Sequence, residues 1–237
     1  MIDEVRVPRL LTERLILREW TPADLKPFAA LNSDPEVAAS LGGSLTRDES
    51  DALVERIMAG WRDRGFGLWA VARVDDDSLL GFAGLSVPSW APEPEPEIGW
   101  RFARHAWGSG YATEAGREAM RFAFEVLELE RLVSYTAVTN VRSRRVMERL
   151  GMHRDGPGRY DFLHPRLPDG HPLREHVTYR LSRAAWAVGR AGSSAGAGRG
   201  GPSSGAGQAG SSPRVGHRES SAAADPGVGD RGNPASR

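Results

Sequence analysis

A glycine turn between a strand and a helix constrains the fold of this chain most. The turn, Gly108-Ser109-Gly110, follows a strand-like segment at residues 97–102 and opens into a helical pattern at residues 112–127. Apolar residues recur in that pattern at the spacing of one helical face. Glycines let a backbone approach a ligand closely, and the first amides of a helix have no partner within it. The stretch predicts a phosphate site at a helix N-terminus or, alternatively, a plain strand-to-helix turn.

Two better-known phosphate-binding loops do not match this turn. The chain has no Gly-Lys-Ser/Thr sequence, so the lysine of an NTPase loop is missing. A dinucleotide-binding loop needs a third glycine where Thr113 stands, and an acid at the end of the next strand. That strand, predicted at residues 132–139, carries no acid. The turn therefore belongs to neither class.

The composition excludes several other functions. Thirty-one basic and 31 acidic residues give zero net charge, so no global field recruits nucleic acid or an anionic membrane. The absence of cysteine excludes disulfides, thiolate metal sites and cysteine nucleophiles. No apolar run approaches the ~20 residues of a membrane span. We therefore expect a cytoplasmic protein that contacts neither a membrane nor a specific nucleic acid.

Local signals predict the remaining elements. Thr21 and Thr46 are each followed three residues later by an acid, which is typical of a helix start, and Asn140 suits a third N-cap. Gly65 is expected to end the second of these helices. Strands are predicted at residues 12–18, 67–74, 79–87, 132–139 and 176–181.

The C-terminal part of the chain has a different composition. Residues 187–237 are mostly Gly, Ser, Ala, Pro and Arg, which cannot bury enough apolar surface to offset the entropy lost on ordering. We predict a folded domain at residues 1–186 and a disordered tail at 187–237. A nucleic-acid-binding role for the tail is an alternative that the zero net charge disfavours.

Two longer motifs resemble a known family. The segment Trp107-Gly-Ser-Gly-Tyr-Ala-Thr-Glu-Ala115 and the pattern Asn140-Val-Arg-Ser143…Leu150-Gly-Met152 look like those of the GNAT superfamily of N-acetyltransferases. More narrowly, the segments at residues 11–18 and 32–37 resemble the RimJ/RimL branch, which acetylates ribosomal-protein N-termini. The resemblance covers residues 9–186. It implies an α/β (α+β) fold: one domain with a mixed, mostly antiparallel central sheet, flanked by helices, in which a splayed strand pair holds CoA.

The resemblance also implies a co-substrate and the residues that bind it. Acetyl-CoA would donate its acetyl group to a primary amine, either a protein N-terminus or a small molecule, by direct attack in a ternary complex. The protein would act as a monomer or homodimer. His105 departs from the family, which often has Gln or Arg at that position. The residues expected to contact acetyl-CoA are Trp100, Phe102, His105, Gly108, Ser109, Gly110, Tyr111, Ala112, Asn140 and Ser143.

Two residues are candidates for catalysis. Amide formation is helped by a base that keeps the amine neutral, and Glu97 matches the Glu-Ile-Gly pattern of the branch. It could instead be a carboxylate on the rim of the site, and its neighbours Glu93 and Glu95 are expected to be solvated. Many members of the family use a tyrosine acid where this chain has Met147. Ser143 is the alternative donor to the departing sulfur, although a capping role suits it equally.

Two readings of the site remain open. The chain could be a sensor that binds CoA and has lost its chemistry, because the tyrosine is absent. A metal site could form from the histidines and acids of one loop, but their spacing fits no recognised ligand pattern, and we expect no metal. These residues are Asp161, His164, Asp169, His171 and His176.

Overall fold

The computed structural model describes residues 6–92, 94–154 and 156–197. Its strands are β1 (Leu10–Leu11), β2 (Leu15–Arg18), β3 (Leu68–Arg73), β4 (Leu79–Ser86), β5 (Glu97–Phe102), β6 (Arg131–Ala137), β7 (His153–Arg154), β8 (Phe162–Leu163) and β9 (Glu175–Ser182). Its helices are α1 (Pro22–Ser33), α2 (Pro35–Ala38), α3 (Arg47–Arg64), α4 (Tyr111–Arg121), α5 (Val141–Arg149) and α6 (Arg183–Ala197). A short 3₁₀ turn covers Arg104–Ala106, and a π-helical turn covers Phe122–Val126.

The strands form one sheet in the order β1-β2-β3-β4-β5-β6-β9-β7, and β8 pairs with β9. Every pairing is antiparallel except that of β5 with β6. The predicted mixed, mostly antiparallel sheet flanked by helices is therefore confirmed.

The parallel pair opens soon after it begins. Strands β5 and β6 share one register pair, Glu97 with Val133, although each strand continues for at least four more residues. Next to this pair, the Val133 amide donates to the Pro96 carbonyl, and the Ser134 hydroxyl donates to the Ile98 carbonyl. Beyond them the two strands diverge, as the predicted splayed pair requires.

Strand register separates the two faces of the sheet. Glu97, Gly99 and Arg101 lie on one face, opposite Ser86, Gly84 and Phe82 of β4. Helix α1 packs on this face at its Phe82 end, where Phe28 meets Phe82 edge-to-face at 6.0 Å between ring centroids. Helix α5 lies on the other face, where the Tyr179 hydroxyl donates to Glu148.

The predicted helix boundaries are confirmed where a local signal fixed them. Thr21 and Thr46 form capping boxes, and the Asn140 side chain accepts a hydrogen bond from the Ser143 amide. Gly65 ends α3 in the left-handed conformation. Each cap depends on residues within three or four positions of it, which is why the sequence alone predicts it.

Two predicted elements differ from the structure. The first strand is interrupted, because residues 12–14 form a turn between β1 and β2 in which Thr12 bonds Leu15. The helix after the glycine turn is α-helical only to Arg121. A π-helical turn follows it, in which Phe122 packs on Trp69 and Phe124 on Trp186.

Helix α6 begins inside the predicted domain, residues 1–186, and extends past the predicted end of that domain. It continues to Ala197 beyond the expected boundary at Trp186, and Arg190 pairs with Glu125 at 2.8 Å. The disordered tail stays a prediction for residues 198–237, which lie outside the described residues. Among the helices that the structure describes, none has the length and apolar character needed to cross a bilayer.

Candidate active site

The glycine turn leads into α4 with two residues in the left-handed conformation. Gly108 has φ of 80° and Gly110 has φ of 82°, values that residues with a Cβ rarely adopt. Gly110 is the N-cap of α4 and has no side chain that could satisfy the amides after it. The turn therefore ends with its backbone exposed at the start of the helix.

A row of unpaired amides results from this geometry. The N–H groups of residues 108–112 donate no hydrogen bond to any described residue, whereas those of Thr113 and Glu114 donate to the Gly110 carbonyl. Consecutive free N–H groups at the positive end of a helix dipole attract anions such as phosphate. The turn thus has the chemistry of an anion-binding site.

Glu114, in the first turn of α4, has its negative charge balanced by an ion pair. The Glu114 carboxylate accepts hydrogen bonds from the Thr12 hydroxyl at 2.6 Å and the Arg14 amide at 2.9 Å, and forms an ion pair with the Arg14 guanidinium. Arg14 also donates to the Ser109 carbonyl at 3.0 Å. These contacts lower the pKa of Glu114 despite its partial burial, and they offset its repulsion of an anion at the helix end.

Strand β5 leaves one backbone edge open beyond the divergence. The Ala103 amide donates to the Leu80 carbonyl of β4 at 2.8 Å. Because successive residues of a strand direct their N–H and C=O groups to opposite sides, those of Trp100 and Phe102 point away from β4. The Phe102 carbonyl accepts from the Trp107 indole at 2.8 Å. The N–H and C=O of Trp100 face the gap between β5 and β6, where an extended ligand could pair with them.

Glu97 stands at the closed end of this gap. Its residue surface is partly accessible, but protein atoms surround its carboxyl group, and this burial raises its pKa to about 7. Opposing hydrogen bonds from the Ser86 hydroxyl, at 3.1 Å, and the Tyr135 amide lower the pKa less than burial raises it. A carboxyl group of this pKa exchanges a proton readily at neutral pH.

Ser143 and Asn140 lie on the face opposite Glu97. Both belong to the start of α5, where the Ser143 hydroxyl makes no hydrogen bond to a described residue. Met147 is 1% exposed and belongs to the core, so it supplies no donor to the site. The base candidate and the donor candidate therefore approach the gap from its two sides.

Trp107 connects the glycine turn to α5. The Arg142 guanidinium lies 4.4 Å from the centroid of the indole ring, and that of Arg104 lies 5.1 Å from it. This stack brings the turn, Asn140 and Ser143 into one region. His105 is exposed on the 3₁₀ turn that precedes the glycine turn.

Aromatic side chains form a wall on the Glu97 face of the sheet. The Trp90 ring lies 4.4 Å from His164, 5.5 Å from Tyr135 and 6.2 Å from Phe162, and His164 lies 4.9 Å from His176. Burial lowers the pKa of His164, and lowers that of His176 to about 4, so both rings are neutral at pH 7. Within the described ranges, no group of three or more acids and histidines could hold a metal ion.

A cavity of about 230 Å³ opens beside this wall. It is lined by Pro92, Tyr135, Asp161, Phe162, Thr178 and Arg180. A larger cavity, of about 440 Å³, lies against α1 and α3 and has no candidate catalytic residue in its lining. The smaller cavity lies on the same face as Glu97, because Tyr135 follows Val133, the register partner of Glu97, by two residues in β6.

The structure corrects the expectation for Glu95 and adds residues that the sequence did not indicate. Glu95 is 7% exposed and contacts Arg131 at 3.0 Å and Arg180 at 3.6 Å, so it is not solvated, while Glu93 lies outside the described residues. Arg101, also not predicted, lies on the Glu97 face. Alternation along β5 was the signal that could have identified it, since Ile98 and Phe102 are the buried positions.

Known proteins share this chain's sequence and fold. A family model described as "Acetyltransferase (GNAT) domain" matches residues 14–153. FsC-acetyl coenzyme A-N(2)-transacetylase of Aspergillus fumigatus is 31% identical over 198 residues, which cover 76% of this chain and 78% of that protein. The uncharacterized N-acetyltransferase YnaD of Bacillus subtilis is 26% identical over 178 residues, or 75% and 98% of the two chains. The crystal structure of an acetyltransferase from Agrobacterium tumefaciens matches with a TM-score of 0.61 and 30% identity, over 74% of this chain and 94% of that one. The chain belongs to the GNAT acetyltransferase family.

Proposed function

We propose that the protein transfers the acetyl group of acetyl-CoA to a primary amine by direct attack in a ternary complex. The observation that carries the proposal is the gap between β5 and β6, which has unpaired amides of residues 108–112 beyond its open end and Glu97 at its closed end. Family membership supports the reaction class.

Several groups of the chain would hold acetyl-CoA. The unpaired amides from Gly108 to Ala112 suit its pyrophosphate, and the open edge at Trp100 suits pairing with its pantetheine amides. Phe102, Tyr111 and Asn140 would border that path, and His105 would stand at its rim. The bound thioester supplies the activated acetyl group.

Each step of amide formation has a residue suited to it. Glu97 takes the proton that an ammonium group loses on entering the site, which leaves a neutral amine. The Trp100 N–H donates to the oxygen that becomes negative when nitrogen attacks the acetyl carbon. As the carbon–sulfur bond breaks, the Ser143 hydroxyl donates a hydrogen bond to the departing thiolate, and the second proton lost by nitrogen ends on sulfur.

The RimJ/RimL-like motifs support a protein N-terminus as one kind of acceptor. We place the acceptor among protein N-termini and small-molecule amines, and we place the enzyme in the cytoplasm as a monomer or homodimer. The proposed reaction is tested by incubating the protein with acetyl-CoA and each amine of a broad panel, and by measuring the free CoA released.

A sensor that binds CoA without catalysis is the second candidate, favoured by Met147. This side chain occupies the position of the family's tyrosine, and its thioether has no proton to donate. A sensor would bind CoA in calorimetry and release no CoA above background with any amine of the panel. Turnover with any member of the panel excludes it.

Replacement of Ser143 by alanine is expected to lower kcat by ~10- to 150-fold. This range corresponds to one hydrogen bond to a charged group, ~1.5–3 kcal/mol. The helix cap should survive, because Asn140 accepts from the Ser143 backbone amide at 3.2 Å. Steady-state kinetics with calorimetric CoA affinity measures the effect; wild-type kcat in Ser143→Ala would leave Ser143 a structural role only.

A chain ending after Ala197 is expected to keep the full stabilisation by acetyl-CoA. Within the first 197 residues, Arg14 holds the Ser109 carbonyl, Ser86 holds the Glu97 carboxyl group, and α6 retains the contact of Trp186 with Phe124. Thermal unfolding of both chains with and without acetyl-CoA measures the shift. A smaller shift in the shortened chain would mean that the tail contributes to the site.

A further inference from the structure

Arg101 has a charge without a counter-ion in the part of the chain that the structure describes. Its Nη1 donates to the Asn32 Oδ1 at 2.6 Å, and its guanidinium lies 5.2 Å from the centroid of the Phe82 ring. None of the described carboxylates forms an ion pair with it, and its Nε is enclosed without an acceptor among these residues. Burial lowers its pKa to about 10, so the group remains a cation at pH 7.

This arrangement is costly unless something compensates for it. Removing a cation from water carries a penalty that a protein usually offsets with a carboxylate. The other arginine on the same face of the sheet near Glu97, Arg180, has such a partner in Glu95 at 3.6 Å. Among the described residues, the hydrogen-bond partner of Arg101 is the neutral Asn32, which is itself fixed by its bond to Ser50 at 2.9 Å.

The open part of the guanidinium is directed by these contacts. Because Asn32 fixes Nη1, the group is held in one orientation, and Nη2 makes no hydrogen bond to a described residue. Unlike Nε, Nη2 is not enclosed. An arginine held in this way is prepared to donate to an anion.

Arg101 and Glu97 stand at the two ends of a bare strip of sheet. Between them on the same face are Gly99 and its cross-strand partner Gly84, neither of which has a side chain. A Cβ added at Gly99 would meet no atom within 4 Å, so the strip is open there. Four residues of strand separate the Cα atoms of Glu97 and Arg101 by ~13 Å.

We infer that Arg101 binds a carboxylate of the amine acceptor while the acceptor's amine lies at Glu97. The inference rests on the proposed function and narrows its acceptor to amines that carry a carboxylate several bonds away. The ligand of Arg101 is the acceptor and not CoA. The glycine turn, where CoA would bind, follows Trp107, whose ring stacks with Arg142 of α5, and α5 lies on the face of the sheet opposite Arg101. One unpaired cation suits a monoanion.

Matched acceptors that differ only in this charge test the inference. We would measure kcat/KM for 6-aminohexanoate against 6-aminohexanamide, and for the amidated peptide Ala-Glu-Ala against Ala-Gln-Ala. In at least one pair, the wild-type protein is expected to prefer the acid by ~10- to 150-fold, the equivalent of one hydrogen bond to a charged group. In Arg101→Gln the ratio should approach one, and in Arg101→Lys it should fall between the two.

A control variant separates this contact from a general effect of charge. Arg180→Gln removes the same charge from the same face, but from a residue with a carboxylate partner, and should keep the wild-type ratio. Thermal unfolding establishes that each variant is folded. Equal kcat/KM for acid and amide in both pairs, or an unchanged ratio in Arg101→Gln and Arg101→Lys, would overturn the inference while acetyl transfer stands. Acetyl-CoA binding without transfer to any amine would overturn the proposed function and the inference together.

Discussion

Replacing Glu97 by glutamine is expected to lower kcat/KM by ~10²–10⁴ at pH 7, the usual span for loss of a general base. Glutamine keeps the shape of the side chain: its carbonyl oxygen can accept from the Tyr135 amide, and the Ser86 hydroxyl can bond either the oxygen or the NH2 group. It cannot take a proton. The change therefore removes the chemistry of Glu97 and leaves its contacts in place.

The pH dependence identifies the base more sharply than the rate does. Because the pKa of Glu97 is about 7, wild-type kcat/KM should rise with pH through this value as the carboxyl group loses its proton. In Glu97→Gln, the rise in kcat/KM around pH 7 should vanish. Only the rise caused by deprotonation of the amine should remain, at pH ~10.4 for a lysine-like acceptor. The deficit of the variant should shrink as the pH rises. A variant with the wild-type profile would show that Glu97 is not the base.

Thermal unfolding controls for damage to the fold. A carboxyl pKa raised from 4.5 to about 7 means that the folded state binds the proton more tightly than the unfolded state does. Stability is therefore lost as pH rises from 4.5 to 7. Glutamine has no charge to bury, so Glu97→Gln should be at least as stable as wild type at pH 8. Low activity in a more stable protein can be assigned to catalysis.

Replacing Gly110 by valine is expected to weaken CoA binding by ~100-fold or more. At φ of 82° a β-branched residue is strained, so the turn must change conformation and turn its amides away from the ligand. Losing two hydrogen bonds to charged phosphate costs about 3–6 kcal/mol. The atom nearest to an added Cβ is Nη2 of Arg14 at 3.6 Å, so the protein itself does not clash with valine. Calorimetry with CoA measures the loss.

Gly65 provides the matched control for backbone strain. It has φ of 72°, ends α3, and has no atom within 4 Å of an added Cβ. Gly65→Val should therefore lose similar stability and keep its affinity for CoA. Unchanged affinity in Gly110→Val, or an equal loss in both variants, would contradict the assignment of a pyrophosphate to this turn.

Local features of this fold could be predicted, and contacts between distant residues could not. The caps at Thr21, Thr46 and Asn140 depend on neighbours along the chain. The π-helical turn at Phe122–Val126 depends on Trp69 and Trp186, and the burial of Glu95 depends on Arg131 and Arg180. Charged residues in a Pro-rich segment resemble solvated ones until a partner from elsewhere in the sequence is known.

The candidate site divides in the same way. The glycine turn, Glu97 and Ser143 were found from short motifs, and their assigned roles stay predictions. The unpaired state of Arg101 was not predictable, because it depends on which acids the fold leaves out of reach. The stack of Arg142 on Trp107 likewise joins segments 35 residues apart, with only their types visible in the sequence.

The contacts of Glu114 with Thr12 and Arg14 link the order of folding to the candidate ligand site. Thr12 is 102 residues from Glu114 in sequence, and Arg14 is 100 residues from it. Contacts of such separation form late, because a long loop must close before they stabilise anything. The glycine turn reaches its final form only after the β1–β2 ribbon has docked against α4. A partly opened edge of the sheet would release the turn before the core melts, so hydrogen exchange at the Thr113 and Glu114 amides, which donate to the Gly110 carbonyl, should report the integrity of that edge.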